Sequence, residues 1–324
     1  MNILYIGPYR INHSIGYESL NILLDISSDT SSTTVSRPIF AIENKQSELS
    51  NINNILFTLE NKLLQKTDLL VQHLDIDSMQ YNSKFSKHIF IPIIHKTNTP
   101  TNTQKEKFKF LSTKGLFLYK NNIEKSILDS IHIHNKESID IEIDDNLAYK
   151  SKDFFNLGIY NIYKKYYSIV EAAADRENIE NLIINFIQCF HKENNCLILF
   201  VQNMDKSNND HYVSFIKNIY NNLNISYNIN KIILIPIELN IKNIGIIHNT
   251  GNIYIDINQD INRCYAIKYK KPIIENSSDI KITYTGTRLN NISKLYHTDQ
   301  IDLLSDRYIS SYNTSIKKII NNYV

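Results

Sequence analysis

Short apolar runs separated by turn residues and amphipathic segments dominate the first half of the chain. The runs predict strands at Ile3 to Ile6, Pro38 to Ile42, Leu69 to Gln72, Ile89 to Ile93, Gly115 to Tyr119 and Ser130 to His134. The segments between them predict helices at Tyr17 to Asp25, Ile52 to Leu64, Gln80 to Ser86 and Ile123 to Leu128. The segment from Lys96 to Gln104 is rich in Thr and Asn, which predicts an exposed loop. The alternation predicts a βα repeat.

The same alternation restarts in the second half. It predicts strands at Tyr166 to Ala172, Cys196 to Gln202, Lys231 to Pro236, Ile253 to Ile257 and Pro272 to Ile274. It predicts helices at Asn178 to Lys192, Asp210 to Leu223, Ile241 to His248, Arg263 to Lys270 and Ile301 to Asn322. Two consecutive Rossmann-like halves are the simplest packing of this order, although a single α/β barrel also fits the length.

The domain boundary is predicted where the chain becomes acidic and polar, from Lys136 to Phe154. This stretch fits either an interdomain connection or an edge strand with one solvated face. We therefore expect domains at residues 1–150 and 151–300. The closing helix within 301–324 is expected to cross back onto the first domain.

The first strand ends in a glycine turn that opens a helix. Gly7 and Pro8 follow the strand, and Gly16 and Tyr17 begin the helical pattern. A strand, a glycine turn and a helix N-terminus are typical of a phosphate-binding α/β domain. The long loop between the two glycines does not match G-x-G-x-x-G, so a plain NAD-binding domain is disfavoured.

Composition excludes several functional classes. Net charge is +2, with lysines and acids interspersed, which is not the charge pattern of an obligate nucleic-acid binder. The three cysteines show no C-x-x-C spacing, so neither a disulfide framework nor a metal site is expected. Heavy use of Asn, Ile, Lys and Tyr suggests an AT-rich genome, such as that of a virus, a phage or a reduced bacterium.

No apolar run reaches the roughly 18 to 20 residues that span a bilayer, so we expect no membrane span. The N-terminal strand lacks the basic and small-residue regions of a signal peptide. We therefore expect a cytoplasmic protein, in the host cytoplasm if the source is viral.

Two blocks of the second half resemble motifs of one enzyme family. The first runs from Ala173 to Phe186, where Arg176 and Asn178 precede the helix. The second runs from His248 to Ile255 and continues from Tyr265 to Ile274. Together with the first loop at Gly7 and Gly16, these blocks resemble the two-domain GT-B nucleotide-sugar glycosyltransferases, in particular the retaining family 4. The resemblance implies two Rossmann-like domains that face each other across a cleft.

The resemblance also implies the candidate donor-site residues. Arg176 stands at the family's first basic position for the donor diphosphate, whereas Glu177 replaces the second. Tyr265 stands where the family has its second glutamate, and Ile257 where it has the first. Asp256 and Asp260 are the candidate catalytic stand-ins. The donor-binding set that the resemblance implies comprises Gly16, Tyr17, Arg176, Asn178, Arg263, Tyr265 and Ala266.

On the first domain, His73 follows an apolar strand at the place where side chains reach the ligand crevice. We expect it to orient a sugar hydroxyl as a third catalytic candidate. The implied activity is sugar transfer from a nucleotide-sugar donor to a glycan or a modified DNA base, with retention and without a metal or other cofactor. The missing glutamates leave open a second reading, a catalytically silent protein that keeps the scaffold to bind a nucleotide or a glycan.

Overall fold

The computed structural model divides the chain into two compact units. Unit 1 comprises Met1–Leu147 with Tyr312–Val324, and unit 2 comprises Ala148–Ser311. The structure describes residues 1–11, 13–39, 50–63, 68–94, 99–150, 152–158, 162, 164–171, 176–190, 192, 194–202, 209–228, 231–257, 260–275 and 315–323.

Each unit is built on a parallel sheet. The strands are β1 (Asn2–Gly7), β2 (Thr33–Pro38), β3 (Leu69–Leu74), β4 (Lys87–Pro92), β5 (Leu116–Tyr119) and β6 (Lys136–Ser138) in unit 1, and β7 (Lys164–Glu171), β8 (Asn195–Gln202), β9 (Ile232–Ile237), β10 (Ile253–Asp256) and β11 (Ile273–Glu275) in unit 2. The helices are α1 (Ser14–Ser27), α2 (Ser50–Asn61), α3 (Asn102–Ser112), α4 (Asn122–Ser130), α5 (Arg176–Phe190), α6 (Asn209–Asn222), α7 (Ile241–Thr250), α8 (Ile261–Lys268) and α9 (Ile316–Tyr323).

The spatial order of the strands is β2-β1-β3-β4-β5-β6 in unit 1 and β11-β10-β7-β8-β9 in unit 2. The described pairings are parallel throughout, for example β1 with β3 and β7 with β10. Both sheets need apolar cover on their two faces, which explains why every residue of β3 and of β8 is buried. The predicted α/β architecture of two Rossmann-like domains is confirmed.

The core of unit 1 includes an aromatic group beneath α3 and α4. The rings of Phe90 and Phe117 lie 5.2 Å apart, and those of Phe108 and Phe117 lie 5.5 Å apart. Helix α9 contacts α1 through an apolar face that includes the buried Ile316 and Ile319. The C-terminal helix thus belongs to unit 1, as the sequence predicted, while residues 301–314 of that prediction lie outside the described residues.

The helix predicted after β3 is wrong. Gln80 to Ser86 is not helical, because the Gln72 side chain accepts a hydrogen bond from Gln80 N–H (2.9 Å) and donates one to Gln80 O (2.7 Å). These two bonds hold the start of that segment to the strand. Polar side chains that satisfy the backbone in this way favour turns over helices.

Helix α3 lies partly in the segment predicted as a loop. Only Phe108 and Leu111 are buried on it, so its apolar stripe is too narrow to stand out in the sequence. The signal that marks its start is a capping box, in which Gln104 N–H donates to Thr101 Oγ1 (3.3 Å) and Thr101 N–H donates to Gln104 Oε1 (3.0 Å).

The strand predicted at Ser130 to His134 is also wrong. α4 continues to Ser130, and His132 then adopts a left-handed backbone with φ of 62°. Ile131 and Ile133 are buried through this turn while His132 and His134 are exposed, which gives strand-like alternation without a strand. The edge strand starts later, at β6, within the acidic stretch. The strand predicted at Pro38 to Ile42 is misplaced: β2 covers Thr33–Pro38, so it shares only Pro38 with the prediction, and residues 40–42 lie outside the described residues.

A buried histidine lies among tyrosines on one face of the unit 2 sheet. His248 Nδ1 lies 2.7 Å from Tyr167 Oη, and the His248 ring stacks on Tyr269 at 5.1 Å. Within the described part of the chain, His248 Nε2 has no hydrogen-bond partner. Burial, with a smaller contribution from the charge of Lys271, lowers the pKa of His248 to about 3. His248 is therefore neutral in the folded state at neutral pH.

This burial predicts a pH dependence of stability. The folded-state pKa of His248 lies below its ordinary value of 6.5, so the unfolded state takes up the proton first as the pH falls. Between pH 6.5 and about 3 we expect this group alone to lower the free energy of unfolding by about 1.4 kcal/mol per pH unit. Denaturant unfolding at several pH values measures the slope.

The comparison that isolates this group uses two variants. His248→Phe should flatten the slope, whereas His134→Phe, at an exposed histidine, should leave it unchanged. Equal slopes in the wild type and His248→Phe would refute the assignment.

Candidate functional site

The direction of the chain creates one switch point in each sheet. In unit 1, β2 lies on one side of β1, and the next strand, β3, lies on the other side of β1. In unit 2 the chain moves from β7 through β8 to β9 and then places β10 on the other side of β7. Ligands of open α/β sheets bind outside the carboxyl ends of the strands at such points. The candidate sites are therefore the β1/β3 edge and the β7/β10 edge.

A buried polar cluster lies at the β1/β3 edge of unit 1. Tyr5 Oη donates to Ser19 O (3.0 Å) and lies 2.7 Å from Ser19 Oγ and 3.3 Å from His73 Nδ1. His73 is fully buried, and its Nε2 lies 3.1 Å from Glu18 Oε1. The predicted catalytic histidine is thus enclosed by protein groups on both of its ring nitrogens.

Lys120 extends this cluster to two glutamates. Its Nζ lies 2.8 Å from Glu18 Oε1 and 3.0 Å from Glu124 Oε1, and it donates to Pro92 O at 3.3 Å. The backbone N–H of Lys120 donates to Glu124 Oε2 (2.7 Å). The side chains of Glu18, Lys120 and Glu124 are each about nine-tenths buried. We call Glu18, His73, Lys120 and Glu124 the unit 1 cluster.

The charges of the unit 1 cluster follow from its burial and its contacts. Burial opposes ionisation of Glu18, but the charge of Lys120 and the contact with His73 outweigh it and lower its pKa to about 2. Burial raises the pKa of Glu124 despite the same lysine. For Lys120 the two glutamates outweigh burial, so its pKa is raised, whereas burial lowers the pKa of His73. At neutral pH the cluster therefore carries no net positive charge.

Gly16 and Tyr17, the predicted donor-binding residues of the first loop, are both buried in the first turn of α1. A Cβ on Gly16 would lie 1.9 Å from Ile11 O, so the loop backbone packs directly against the helix at this point. His13 caps the helix, since Ile15 N–H donates to His13 Nδ1 at 3.4 Å. Close packing therefore accounts for the glycine at this position.

At the β7/β10 edge of unit 2, three polar residues surround the end of β10 and the start of α8. Asp256 ends β10, is almost fully buried, and its Oδ2 lies 3.6 Å from Arg263 NH1. Asp260 caps α8, where its Oδ1 accepts from Asn262 N–H (2.9 Å) and its Oδ2 from Asn262 Nδ2 (3.1 Å). Asp256, Asp260 and Arg263 thus all lie at this edge of unit 2.

The other predicted donor residues fall into two groups. Arg176 and Asn178 lie in the first turn of α5, which follows β7, and β7 pairs with β10. The Arg176 side chain lies outside the described residues, and Asn178 is half-buried. Tyr265 and Ala266 are fully buried in α8, where the Tyr265 ring lies 6.4 Å from that of His248. Tyr265 and Ala266 therefore belong to the core of unit 2 next to this edge.

Sequence reasoning missed Glu18, Lys120 and Glu124. Lys120 and Glu124 had a usable signal, because a lysine directly after a buried strand with a glutamate four residues later predicts an ion pair at a helix start. Glu18 had none, since it stands within an α1 segment whose neighbours are also buried. Among the described residues there is no group of three or more His, Cys, Asp and Glu side chains that could hold a metal ion.

The fold of this chain is similar to solved GT-B glycosyltransferases. Anabaena HepE in complex with UDP and glucose aligns with a TM-score of 0.63 and 11% identity over 100% of this chain and 99% of that one. Sucrose-phosphate synthase from Thermosynechococcus elongatus aligns with a TM-score of 0.58 and 10% identity over 94% and 92%. A glycosyltransferase from Rickettsia africae ESF-5 gives 0.57 and 10% over 99% and 96%. The chain therefore has the GT-B fold of two Rossmann-like domains.

The sequence comparisons do not assign the chain to a family. No family model matches the chain. A Plasmodium falciparum (isolate 3D7) protein that carries the name histone-lysine N-methyltransferase 1 is 27% identical over an alignment of 191 positions that covers 53% of this chain. The chain spans 3% of the length of that protein. None of the described helices is both long and apolar enough to cross a membrane.

Replacing the lysine of the unit 1 cluster should strongly destabilise the protein. Lys120→Met leaves Glu18 and Glu124 without their shared cation, and breaking a buried ion pair in this way lowers the free energy of unfolding by about 3 to 5 kcal/mol. The lowered pKa of Glu18 contributes stability that is complete above its ordinary value of 4.5 and is lost as the pH falls toward 2. Because the variant lacks this contribution, its free energy of unfolding should fall less steeply between pH 4.5 and about 2 than that of the wild type, as measured by denaturant unfolding at several pH values.

The matched control is Lys125→Met on the exposed face of α4, the helix that carries Glu124. It should change stability by less than about 0.5 kcal/mol. Equal losses in the two variants would contradict the role assigned to Lys120.

Proposed function

We propose that the chain is a glycosyltransferase that moves a sugar from a nucleotide-sugar donor to an acceptor. The observation that carries this proposal is the set formed by Asp256, Asp260 and Arg263 at the β7/β10 switch point, in a unit where α5 begins beside the same edge. The GT-B fold supports it, because HepE of the same fold is described in complex with UDP and glucose.

The chemistry of the donor defines what this edge has to supply. A nucleoside diphosphate sugar carries negative charge on its phosphates, and more charge develops on the departing phosphate as the anomeric bond breaks. Arginines and a helix N-terminus stabilise such charge. The N-terminus of α8 already holds the carboxylate of Asp260, whereas α5 starts with Arg176. We therefore assign the diphosphate to the start of α5, with Arg176 and Arg263.

The carboxylates of this edge have different roles in the proposal. Asp256 is buried against Arg263, so it acts as a positioning residue for that guanidinium. Asp260 is only half-buried and contacts a hydroxyl of the donor ribose or sugar. Asn178 lines the first turn of α5, while Tyr265 and Ala266 support the edge from behind. Because cationic side chains and a helix dipole oppose the phosphate charge, the reaction needs no divalent metal.

The acceptor is assigned to unit 1, at the β1/β3 edge. His73 is fully enclosed by Tyr5 and Glu18, so it acts on an acceptor hydroxyl through Glu18 rather than by direct contact. The resemblance to a retaining family extends the proposal to retention of the anomeric configuration.

A second candidate function has its own supporting observation. The carboxylate of Asp256 lies against Arg263, and that of Asp260 caps α8. At the position where the family has a glutamate, this chain has the fully buried Tyr265, so that carboxylate is missing. A protein of this kind binds a nucleotide sugar or a glycan without transferring the sugar.

A donor panel separates the two functions. The purified full chain is incubated with UDP-, GDP- and ADP-glucose, with and without EDTA, and the release of nucleoside diphosphate is measured. The transferase proposal expects release from at least one donor, and EDTA should not reduce it. Binding without release favours the second function, and loss of turnover with EDTA would refute metal independence.

Removal of one guanidinium should weaken nucleotide binding. Arg263→Ala deletes a charge-assisted contact to phosphate, so we expect the Kd for UDP to rise by about tenfold to a hundredfold. Isothermal titration calorimetry measures it. Lys268→Ala removes the same charge from the last turn of the same helix and should leave the Kd unchanged. If both variants bind UDP like the wild type, the donor does not lie at this edge.

A further inference from the structure

Opposite charges are concentrated in two separate segments of unit 1. Residues 77–114 contain seven lysines and two acidic residues, whereas residues 137–145 contain five acidic residues and neither lysine nor arginine. The first segment therefore carries a charge of +5 and the second a charge of −5, in a chain whose net charge is +2. Surfaces of opposite charge steer the association of proteins and fix its register.

The basic segment presents two exposed aromatic rings with a lysine over both of them. Lys114 Nζ lies 5.4 Å from the centroid of the Tyr81 ring and 5.7 Å from that of the Phe110 ring. Tyr81 and Phe110 are 41% and 53% exposed, and Lys84 is exposed in the same loop as Tyr81. Neither Lys84 nor Lys114 forms an ion pair with any described residue. We call Tyr81, Lys84, Phe110 and Lys114 the basic patch.

The loop that carries Tyr81 is fixed on both sides of that residue. Before it, the Gln72 side chain makes two hydrogen bonds to the backbone of Gln80. After it, Asn82 N–H donates to His88 Nε2 at 3.2 Å, and the Tyr81 ring packs on the His88 ring with centroids 4.8 Å apart. Because the contacts within the chain already hold this part of the patch, a partner that docks there orders few further groups.

The second segment, residues 137–145, combines carboxylates with isoleucines, and we call it the acidic stretch. Glu137 and Glu142 are exposed, and they form no ion pair in the part of the chain that the structure describes. Ile141 is half-buried and lies next to Glu142 in the sequence. The stretch therefore offers carboxylates to lysines and an apolar side chain to aromatic rings.

The basic patch and the acidic stretch lie at opposite ends of the unit 1 sheet. Lys114 precedes β5, and Tyr81 packs on the second residue of β4, so the patch is at the amino ends of these strands. The acidic stretch starts in β6, which ends at Ser138, and continues beyond its carboxyl end. Strands β4, β5 and β6 are parallel neighbours. The sheet thus separates the two charged segments within one copy of the chain.

We propose that the basic patch of one copy docks on the acidic stretch of a second copy, in a head-to-tail contact. Lys84 and Lys114 face the carboxylates of the stretch, and the rings of Tyr81 and Phe110 cover Ile141. The contact is heterologous, because its two sides are different surfaces of the same chain. It uses the amino ends of the unit 1 strands and does not depend on whether the chain transfers a sugar.

Two other partners of a basic aromatic surface fit these contacts less well. Nucleic-acid bases stack on the faces of aromatic rings, but His88 packs on Tyr81 and the ammonium of Lys114 lies over the ring. A bilayer takes up apolar side chains, whereas here the Lys114 ammonium lies over both exposed rings. A second copy, in contrast, brings a surface of matching charge with it.

Sedimentation velocity of the full chain tests the association. The protein is measured at about 5 to 200 µM, the range for a weak interface of this kind. We expect the mean mass to rise above that of one copy as the concentration increases at about 50 mM NaCl. At about 500 mM NaCl the dissociation constant should rise about tenfold or more, because salt screens exposed charges.

Paired variants assign the contact to the two surfaces. Lys84→Gln combined with Lys114→Gln removes the lysines of the patch, and Glu137→Gln combined with Glu142→Gln removes exposed carboxylates of the stretch. Each variant alone should dissociate about tenfold or more easily than the wild type. An equimolar mixture should form a one-to-one complex, since each variant keeps the surface that the other has lost. Lys62→Gln combined with Lys125→Gln removes the same charge from other exposed positions and should associate like the wild type.

These surface substitutions should change stability by less than about 0.5 kcal/mol each, so the variants remain folded for the comparison. A wild type that stays monomeric at low salt overturns the proposal, as does a mixture of the two variants that forms no complex. Vesicles of phosphatidylglycerol and phosphatidylcholine and a single-stranded oligonucleotide are the further probes. Binding of either by a monomeric chain, with loss of that binding in the lysine variant, assigns the patch to that partner and overturns the contact between copies.

Discussion

Parallel strand pairing is the constraint on which the rest of this structure depends. A parallel sheet has to be covered on both faces, so each strand must be followed by a helix that returns the chain to the same edge. All carboxyl ends of the strands then meet at one edge of each unit. In each sheet the order in which successive strands are added changes direction once, between β1 and β3 in unit 1 and between β7 and β10 in unit 2. Glu18, His73 and Lys120, which are far apart in the chain, meet at one of these places because of the topology.

The two edges differ in the charged residues that they carry. At the β7/β10 edge Arg263 lies beside the carboxylate of Asp256, and α5 opens with Arg176. At the β1/β3 edge Lys120 is shared by two glutamates and a carbonyl. The proposed function assigns the anionic diphosphate of the donor to the first of these edges and the acceptor to the second.

The sequence alone predicts the α/β class and most of the strands. Strands such as β8 are predictable because the residues from Cys196 to Val201 form a continuous apolar run. Helix α3 is not, because two buried residues in a lysine-rich segment give almost no periodicity. The contact between Glu18 and Lys120 in the unit 1 cluster escapes prediction for another reason. Glu18 and Lys120 lie far apart in the chain, and their contact exists only after β1 and β5 have joined one sheet.

The buried charges also bear on whether the sites are functional. Taking a carboxylate and an ammonium out of water has a desolvation penalty that their attraction recovers only in part, so apolar residues of similar volume often give equal or greater stability. Stability therefore does not explain why Glu18, Lys120 and Glu124 are charged, nor why Asp256 and Arg263 are. Both charged sets lie at a switch point, where the sheet topology opens a ligand crevice. Ligand binding gives those charges a use that packing does not, and this argument holds for a silent binder as well as for an active transferase. What distinguishes the two is whether phosphate charge can develop next to Arg263, which is a property of the β7/β10 edge alone.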